Sequence, residues 1–338
     1  MDTTKVSETI TEGEEGMSKK YKELVLSLPC AKFWDHILYK YQGYWMPSRQ
    51  LNGIISFQKY FKAQNSDIIL CTFPKSGTTW LKALVYTTLN RSHCAPNSAT
   101  HPLLACNPHN LVPYFEMQIY GDENENPNLE NLPNPRIFAT HLPFSLLPPS
   151  ISYSNCRIVY ICRNPLDQLI SYWYFFTSPS PNYNETNSIE ELVKMFEEGI
   201  CMYGPFWDHV LEYWNKSIER KDRILFLYYE DLKEDIISQS IRLADFLGLP
   251  FSEEEKDKGV IEDISRLCSF RNLKELEVNK SEDLWPGVPN NIFFRKGEVG
   301  DWVNHLSPAM VEKIKKLVEE KFKDSGITFK MTSDVKMD

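Results

Sequence analysis

The chain has no run of eighteen apolar residues, the length that a bilayer-spanning helix needs. Its first twenty residues, MDTTKVSETITEGEEGMSKK, hold neither the apolar core of a secretory signal nor the acid-poor composition of a transit peptide, and the C-terminal SDVKMD is not a lipidation box. These absences predict a cytoplasmic protein without a membrane anchor. No Gly/Ser/Pro-rich linker and no internal repeat divides the middle, so a disordered acidic tail (1–20) is expected to precede one domain (21–338). Basic residues are in deficit: 37 Lys and Arg against 46 Asp and Glu leave a formal net charge of −9. That balance argues against a nucleic-acid polymer as main partner, while a single nucleotide needs only a local pocket. The eight cysteines form no CxxC pair and no metal-ligand spacing, so they read as reduced, buried thiols and no metal is expected.

What is present is enough apolar sequence, 42% of residues, for a large core. From residue 67 short apolar runs alternate with helical ones, the pattern of βαβ units around a central, mostly parallel sheet flanked by helices. DIILCTF (67–73), RIFAT (136–140), CRIVYICR (156–163) and RILFLYY (223–229) read as strands. Helices are expected over 78–90, from Asn164 and Pro165 through LDQLISYWYFF, and over 188–200, 205–219, 235–248, 252–267 and 307–322. The Ser/Pro/Asn-rich stretch 177–187 is long enough for a lid. In open α/β sheets ligands sit at the carboxyl ends of the strands. Lys75, His141 and Arg163 follow three of these strands and Tyr229 ends the fourth; parallel pairing would gather them.

The stretch CTFPKSGTTWLKAL (71–84) runs a strand through a turn into a helix. Such a turn offers unpaired N–H groups and the positive end of a helix dipole, both suited to phosphate. Gly77 allows close backbone approach, and the hydroxyls of Ser76, Thr78 and Thr79 add donors. The nucleoside triphosphate form of this device is GxxxxGK[ST]; here the first glycine is missing and Lys75 precedes the remaining one. A lysine at the strand tip is set to meet charge on a bridging oxygen as a bond breaks. His141, beside it, is placed to take a proton from an acceptor hydroxyl. Arg163, with Ser171 two turns into the next helix, suits a second phosphate, as does the Arg295-Lys296-Gly297 run. Asp167 reads as the salt-bridge partner of Arg163. Trp80 and Phe270 are candidates to sandwich a base. Trp45, Tyr172, Trp173 and Tyr174 are candidates for an acceptor pocket. A kinase acting on ATP would need a lysine after Gly77, and a binding module without chemistry would need neither Lys75 nor His141.

FPKSGTTW, YICRNPLDQLISYW, YYEDL, CSFRNL and FFRKGEVGDW, in this order, resemble the cytosolic sulfotransferases and their plant branch in particular, over about residues 50 to 330. The resemblance implies an α/β, P-loop-kinase-like sulfotransferase fold. It implies transfer of a sulfuryl group from 3′-phosphoadenosine 5′-phosphosulfate (PAPS) to a hydroxyl of a small, largely apolar acceptor such as a flavonoid, a steroid or a hydroxyjasmonate. By similarity, the turn from Lys75 to Trp80 holds the 5′-phosphosulfate and stacks the adenine. Arg163, Ser171, Arg295, Lys296 and Gly297 hold the 3′-phosphate, Tyr229 contacts the nucleotide, and His141 is the general base. No metal enters this scheme. Three positions depart from the pattern: Ala139 stands where many animal members carry lysine, Val303 where relatives often carry lysine, and Leu166 where lysine or methionine is common. LSPAMVEKI lacks the short dimer motif of the animal enzymes, so a monomer or weak homodimer is expected.

Overall fold

The structure, a computed structural model, describes residues 19–121, 125–177 and 187–331. The expected tail and the expected lid lie almost wholly outside these residues. Four strands, β4 (Ile68–Thr72), β5 (Ile137–Thr140), β6 (Arg157–Cys162) and β7 (Ile224–Tyr228), form a parallel sheet in the order β5-β4-β6-β7. They are near-continuous apolar runs because both faces are covered. Side chains alternate between the two faces. Ile69, Cys71, Tyr160 and Phe226 pack into one core cluster, and Leu70, Val159, Ile161 and Leu225 into the other. Helices α1 (Leu51–Tyr60), α3 (Pro165–Thr177), α5 (Phe206–Glu219) and α7 (Pro308–Lys321) cover the first face. Helices α2 (Thr78–Asn90) and α6 (Ile236–Phe246) cover the second, and α4 (Ile189–Glu197) packs at the periphery of the first.

In register, Cys71 lies opposite Thr140 and Thr72 opposite Ile161, while Cys162 lies opposite Tyr228. The four strands therefore end level, and the loops after them open on one edge of the sheet. A buried ion pair, Arg136 to Asp67, fastens the opposite edge where β4 and β5 begin.

The sequence reading differs from the structure in several places. An antiparallel meander, β1 (Cys30–Phe33), β2 (His36–Tyr41) and β3 (Tyr44–Pro47), precedes the sheet. Its β2–β3 hairpin turns on Gln42 and Gly43, both with positive φ (49° and 94°), as a type I′ turn requires; Gln-Gly is a weaker signal for it than Asn-Gly. The expected helix over 252–267 is two helices, Glu253–Asp257 and Val260–Leu267, parted by Gly259 at φ 69°. Tyr229 does not end β7 but opens the short helix Tyr229–Glu234. Five cysteines are buried as expected, whereas Cys30 is exposed on the edge strand β1 and Cys94 and Cys106 are half-buried.

Candidate active site

After β4 the chain turns through Pro74, Lys75 and Ser76 into α2. Lys75 has φ 67° and Gly77 φ 110°, two residues in the left-handed region within one turn. At Gly77 a Cβ would lie 2.8 Å from Tyr229 Cδ2, so only glycine fits. Gly77 caps α2 without any side-chain cap bond, which leaves the first N–H groups of the helix for an anion. Ser76 is fully buried and its Oγ has no partner among the described residues. The Lys75 ammonium lies 3.9 Å from the centroid of the Phe175 ring and 5.7 Å from that of Phe293. Burial, and then the charges of Arg163 and Arg295, bring its pKa down to about 7.

His141 follows β5 and is pinned at three points. Its N–H donates to Glu116 Oε1 (2.8 Å), its carbonyl accepts from His209 Nε2 (2.9 Å), and its Nδ1 lies 2.8 Å from the Thr72 carbonyl oxygen. A carbonyl only accepts, so Nδ1 carries the proton and Nε2 keeps a lone pair. Nε2 has no protein partner among the described residues. Glu116 sits in a single π-helical turn, Phe115–Ile119, and its carboxylate meets the chain just past the end of β5. Burial holds His141 down to about 3 against the bond to Thr72, with Lys82, His209 and Lys75 adding to the lowering. The imidazole is therefore neutral. Its ring lies 4.9 Å from Tyr114 and 5.3 Å from Tyr203.

Arg163, at the end of β6, donates through Nη2 to the Glu298 carbonyl (2.6 Å) and stacks 4.4 Å over Tyr229. Its expected partner Asp167 is turned elsewhere: that carboxylate accepts from Gly300 N (2.7 Å), Trp302 N (3.1 Å) and Asn164 Nδ2 (3.0 Å). Three neutral donors converge on it in the buried start of α3, and so Asp167 clamps the 295–302 loop instead. Within the loop Arg295 and Lys296 both pair with Asp301, which is itself buried. Burial would raise the Asp301 carboxyl, but the bonds from Lys296, Arg295 and Asn304 outweigh it and leave the group well below the ordinary carboxylate range.

These parts surround one cavity of about 670 Å³. Lys75, Gly77, Thr78, Thr79, Trp80, His141, Arg163, Ser171, Tyr229, Phe270, Arg295, Lys296 and Gly297 all line it, and Ser76 lies buried beneath. Trp80 meets Tyr229 edge-on at 5.4 Å. At Gly297 a Cβ would lie 2.4 Å from the Phe270 ring, so that glycine lets the loop close onto Phe270. Of the four aromatic residues read as acceptor candidates, Tyr174 lines the cavity. Tyr172 is core, with its hydroxyl accepting from Met202 N (2.9 Å), and Trp173 donates to the Asn187 carbonyl (3.0 Å). Trp45 pairs with Gly204 and accepts from Tyr203 N (2.7 Å); it holds the segment whose Tyr203 faces His141. Ala139 is buried in β5 against Tyr114 and Leu166 is buried in α3, while Val303 is exposed. The sequence reading missed His109, Tyr114, Tyr203 and Lys233 in the cavity wall. Only the Asn-Pro before His109, a helix-start signal, pointed to any of them.

Residues 65–326 match the family model described as the sulfotransferase domain. The chain belongs to the sulfotransferase family. It is 45% identical over 324 residues to cytosolic sulfotransferase 15 of Arabidopsis thaliana, covering 95% of this chain and 90% of that protein. To cytosolic sulfotransferase 14 of the same plant it is 46% identical, with 94% and 93% covered. Among solved structures, a steroid sulphotransferase of Arabidopsis thaliana, so named provisionally, shares 40% identity at a TM-score of 0.73, covering 91% of this chain and 94% of that one. Mouse sulfotransferase SULT7A1, solved in complex with PAP, shares 26% identity at a TM-score of 0.66, with 85% and 95% covered. The sulfotransferase is accordingly an enzyme of the PAPS-dependent class. Among the described residues no helix is long and apolar enough to cross a membrane.

Proposed function

We propose that the enzyme moves the sulfuryl group of PAPS onto the hydroxyl of a small, largely apolar acceptor, with His141 as general base and Lys75 on the leaving oxygen. The observation that carries this reading is the neutral imidazole of His141, its Nδ1 committed to Thr72, in the same cavity wall as Lys75 and the cations Arg163, Arg295 and Lys296. Fit to a doubly phosphorylated nucleotide is supported by polar atoms buried without partners among the described residues in both halves of the site: Ser76 Oγ at the turn, and Arg163 Nε and Arg295 Nε on the other side.

His141 Nε2 takes the proton of the acceptor hydroxyl as its oxygen bonds to sulfur. The bond from sulfur to the bridging oxygen breaks, and Lys75 hydrogen-bonds the oxygen that leaves with the adenosine 3′,5′-bisphosphate. The negative charge of the donor works against burial and raises the basicity of His141 in the complex. Arg163, Ser171 and the Arg295-Lys296-Gly297 loop hold the 3′-phosphate, Ser76 through Thr79 the 5′-phosphate, and Trp80, Tyr229 and Phe270 the adenosine. Tyr114, Tyr203, Tyr174 and Phe176 give the acceptor end aromatic walls, which suit a flavonoid, a steroid or a hydroxyjasmonate. In this reading the protein works in the cytoplasm as a monomer or weak homodimer, without a metal.

A radiolabelled-PAPS assay against a panel of hydroxylated small molecules tests it. Wild type transfers label to at least one of them, and His141→Ala loses about 10²- to 10⁴-fold in rate while binding adenosine 3′,5′-bisphosphate as before. A His141→Ala enzyme with near wild-type turnover removes the assigned base.

A further inference from the structure

The scheme above leaves a buried lysine without a task. Lys82, on α2, is fully buried and lies three residues after Thr79, on the same face of the helix. Its Nζ sits 3.0 Å from His109 Nδ1 and 3.3 Å from the centroid of the Tyr114 ring. No carboxylate is hydrogen-bonded to it among the described residues. His109 is also buried, packed between Tyr114 (5.4 Å, stacked) and Phe293 (4.5 Å). Its Nε2 lies 2.9 Å from Thr79 Oγ1. Thr79 and His109 line the cavity, and Lys82 stands behind them.

A lysine buried without an ionic partner among the described residues is costly, so its place here asks for a use. We propose that Lys82 and His109 are positioning residues for the donor: Lys82 donates to His109 Nδ1, His109 donates from Nε2 to Thr79 Oγ1, and the Thr79 hydroxyl proton is thereby turned to the 5′-phosphate. The inference rests on the function proposed above. The relay has two possible directions, because a neutral imidazole has one N–H and a hydroxyl one proton. In the reverse direction Nδ1 would donate to an uncharged lysine and Thr79 would spend its proton on Nε2. Its lone pairs would then face the phosphate, whose oxygens only accept. A bound anion therefore selects the forward direction; burial lowers the Lys82 pKa well below its ordinary value while the Tyr114 face beside Nζ works the other way, and amine and ammonium alike carry an N–H to donate to Nδ1. The imidazole stays neutral, as the relay requires: burial, and then the charges of Lys82, His141 and Lys75, hold His109 well below its ordinary value.

Calorimetric titration with adenosine 3′,5′-bisphosphate tests the relay. Lys82→Met and Thr79→Val should each weaken binding about tenfold, the loss of one charge-assisted hydrogen bond. The double variant should be no weaker than Thr79→Val, because both changes remove the same contact. His109→Gln, which keeps an amide N–H near the place of Nε2, should hold affinity within about threefold, and His109→Phe should fall as far as Thr79→Val. Lys82→Met at wild-type affinity, a double variant weakened about a hundredfold, or equal losses in the two His109 variants overturns the proposal. Should Lys82→Met fail to fold, the two His109 variants decide. A wild-type protein that does not bind the bisphosphate sinks the proposed function instead.

Discussion

With Lys75 on the donor, as proposed above, donor binding should weaken as pH rises, and the sense follows from the surroundings of the lysine. Burial, then Arg163 and Arg295, lower its pKa from 10.5 to about 7. In the free enzyme the amine is therefore about half neutral at neutral pH, and more so above it. An anionic ligand against Nζ favours the charged form, so binding takes up a proton wherever the free lysine lacks one. Affinity then falls by up to about tenfold per pH unit above about 7, and levels off once the pH passes the value of the lysine in the complex. Lys233 in the wall and Lys82 behind it are also lowered by burial, and the Lys75→Met comparison below separates their share; the remaining groups add little slope. His141 is held down to about 3 by burial, His109 lies well below its ordinary value, and arginine does not titrate in proteins. The second ionisation of a phosphate ester lies near 6, below the window. The assay is titration with adenosine 3′,5′-bisphosphate from about pH 7 to about pH 9, in buffers of different ionisation enthalpy, to count protons. Lys75→Met should bind more weakly and lose the slope. An affinity independent of pH in wild type, or an equal slope in Lys75→Met, refutes the reasoning. The same shift acts on folding with the opposite sense. Between about 7 and 10.5 the unfolded chain holds a proton that the folded one lacks, so this lysine adds stability as pH rises through that range.

Asp167→Asn puts an amide among three donors, Gly300 N, Trp302 N and Asn164 Nδ2; at about 1.5–3 kcal/mol for each hydrogen bond to a charged group, chemical denaturation should show a loss of about 3 kcal/mol or more. The 295–302 loop should loosen with it and bisphosphate affinity fall about tenfold, whereas unchanged stability would mean that the clamp is idle. Gly297→Ala meets both a left-handed φ of 70° and the Phe270 ring at 2.4 Å. It should cost about 1–2 kcal/mol in backbone strain alone and lower bisphosphate affinity more than it lowers Tm; a variant with wild-type affinity would show that the loop does not hold the 3′-phosphate.

Much of the sheet was legible because parallel strands buried on both faces are written as apolar runs, as in β4 and β6, and because each run ends in a polar residue. That pattern brought Lys75, His141 and Arg163 to one cavity without knowledge of a single contact. The parts that stayed hidden depend on long-range pairing. Glu116 reaches His141 across 25 residues and Asp167 reaches Gly300 across 133. Nothing local distinguishes these carboxylates from surface ones, and proximity in sequence misassigned Asp167 to Arg163. Lys82 was invisible for the opposite reason: in WLKALV it reads as the solvated residue of an amphipathic helix, and only the packing of His109 and Tyr114 over it makes it core.

The way the cations are held bears on how the site stays open to an anion. Lys75 rests on Phe175 at 3.9 Å, Arg163 on Tyr229 at 4.4 Å and Arg295 on Tyr174 at 4.8 Å. A carboxylate beside Lys75 or Arg163 would hold it more firmly, but a phosphate would have to displace that partner and leave it buried and unpaired. An aromatic face contributes about 0.5–2 kcal/mol and has no charge to strand. Arg295 and Lys296 do share a carboxylate, but it is one Asp301 between two cations, and Arg295 Nε remains without a partner among the described residues. The rings thus keep the guanidinium and ammonium groups in place while leaving their charge unspent, so that an anionic ligand, as proposed above, would be the strongest partner available to them.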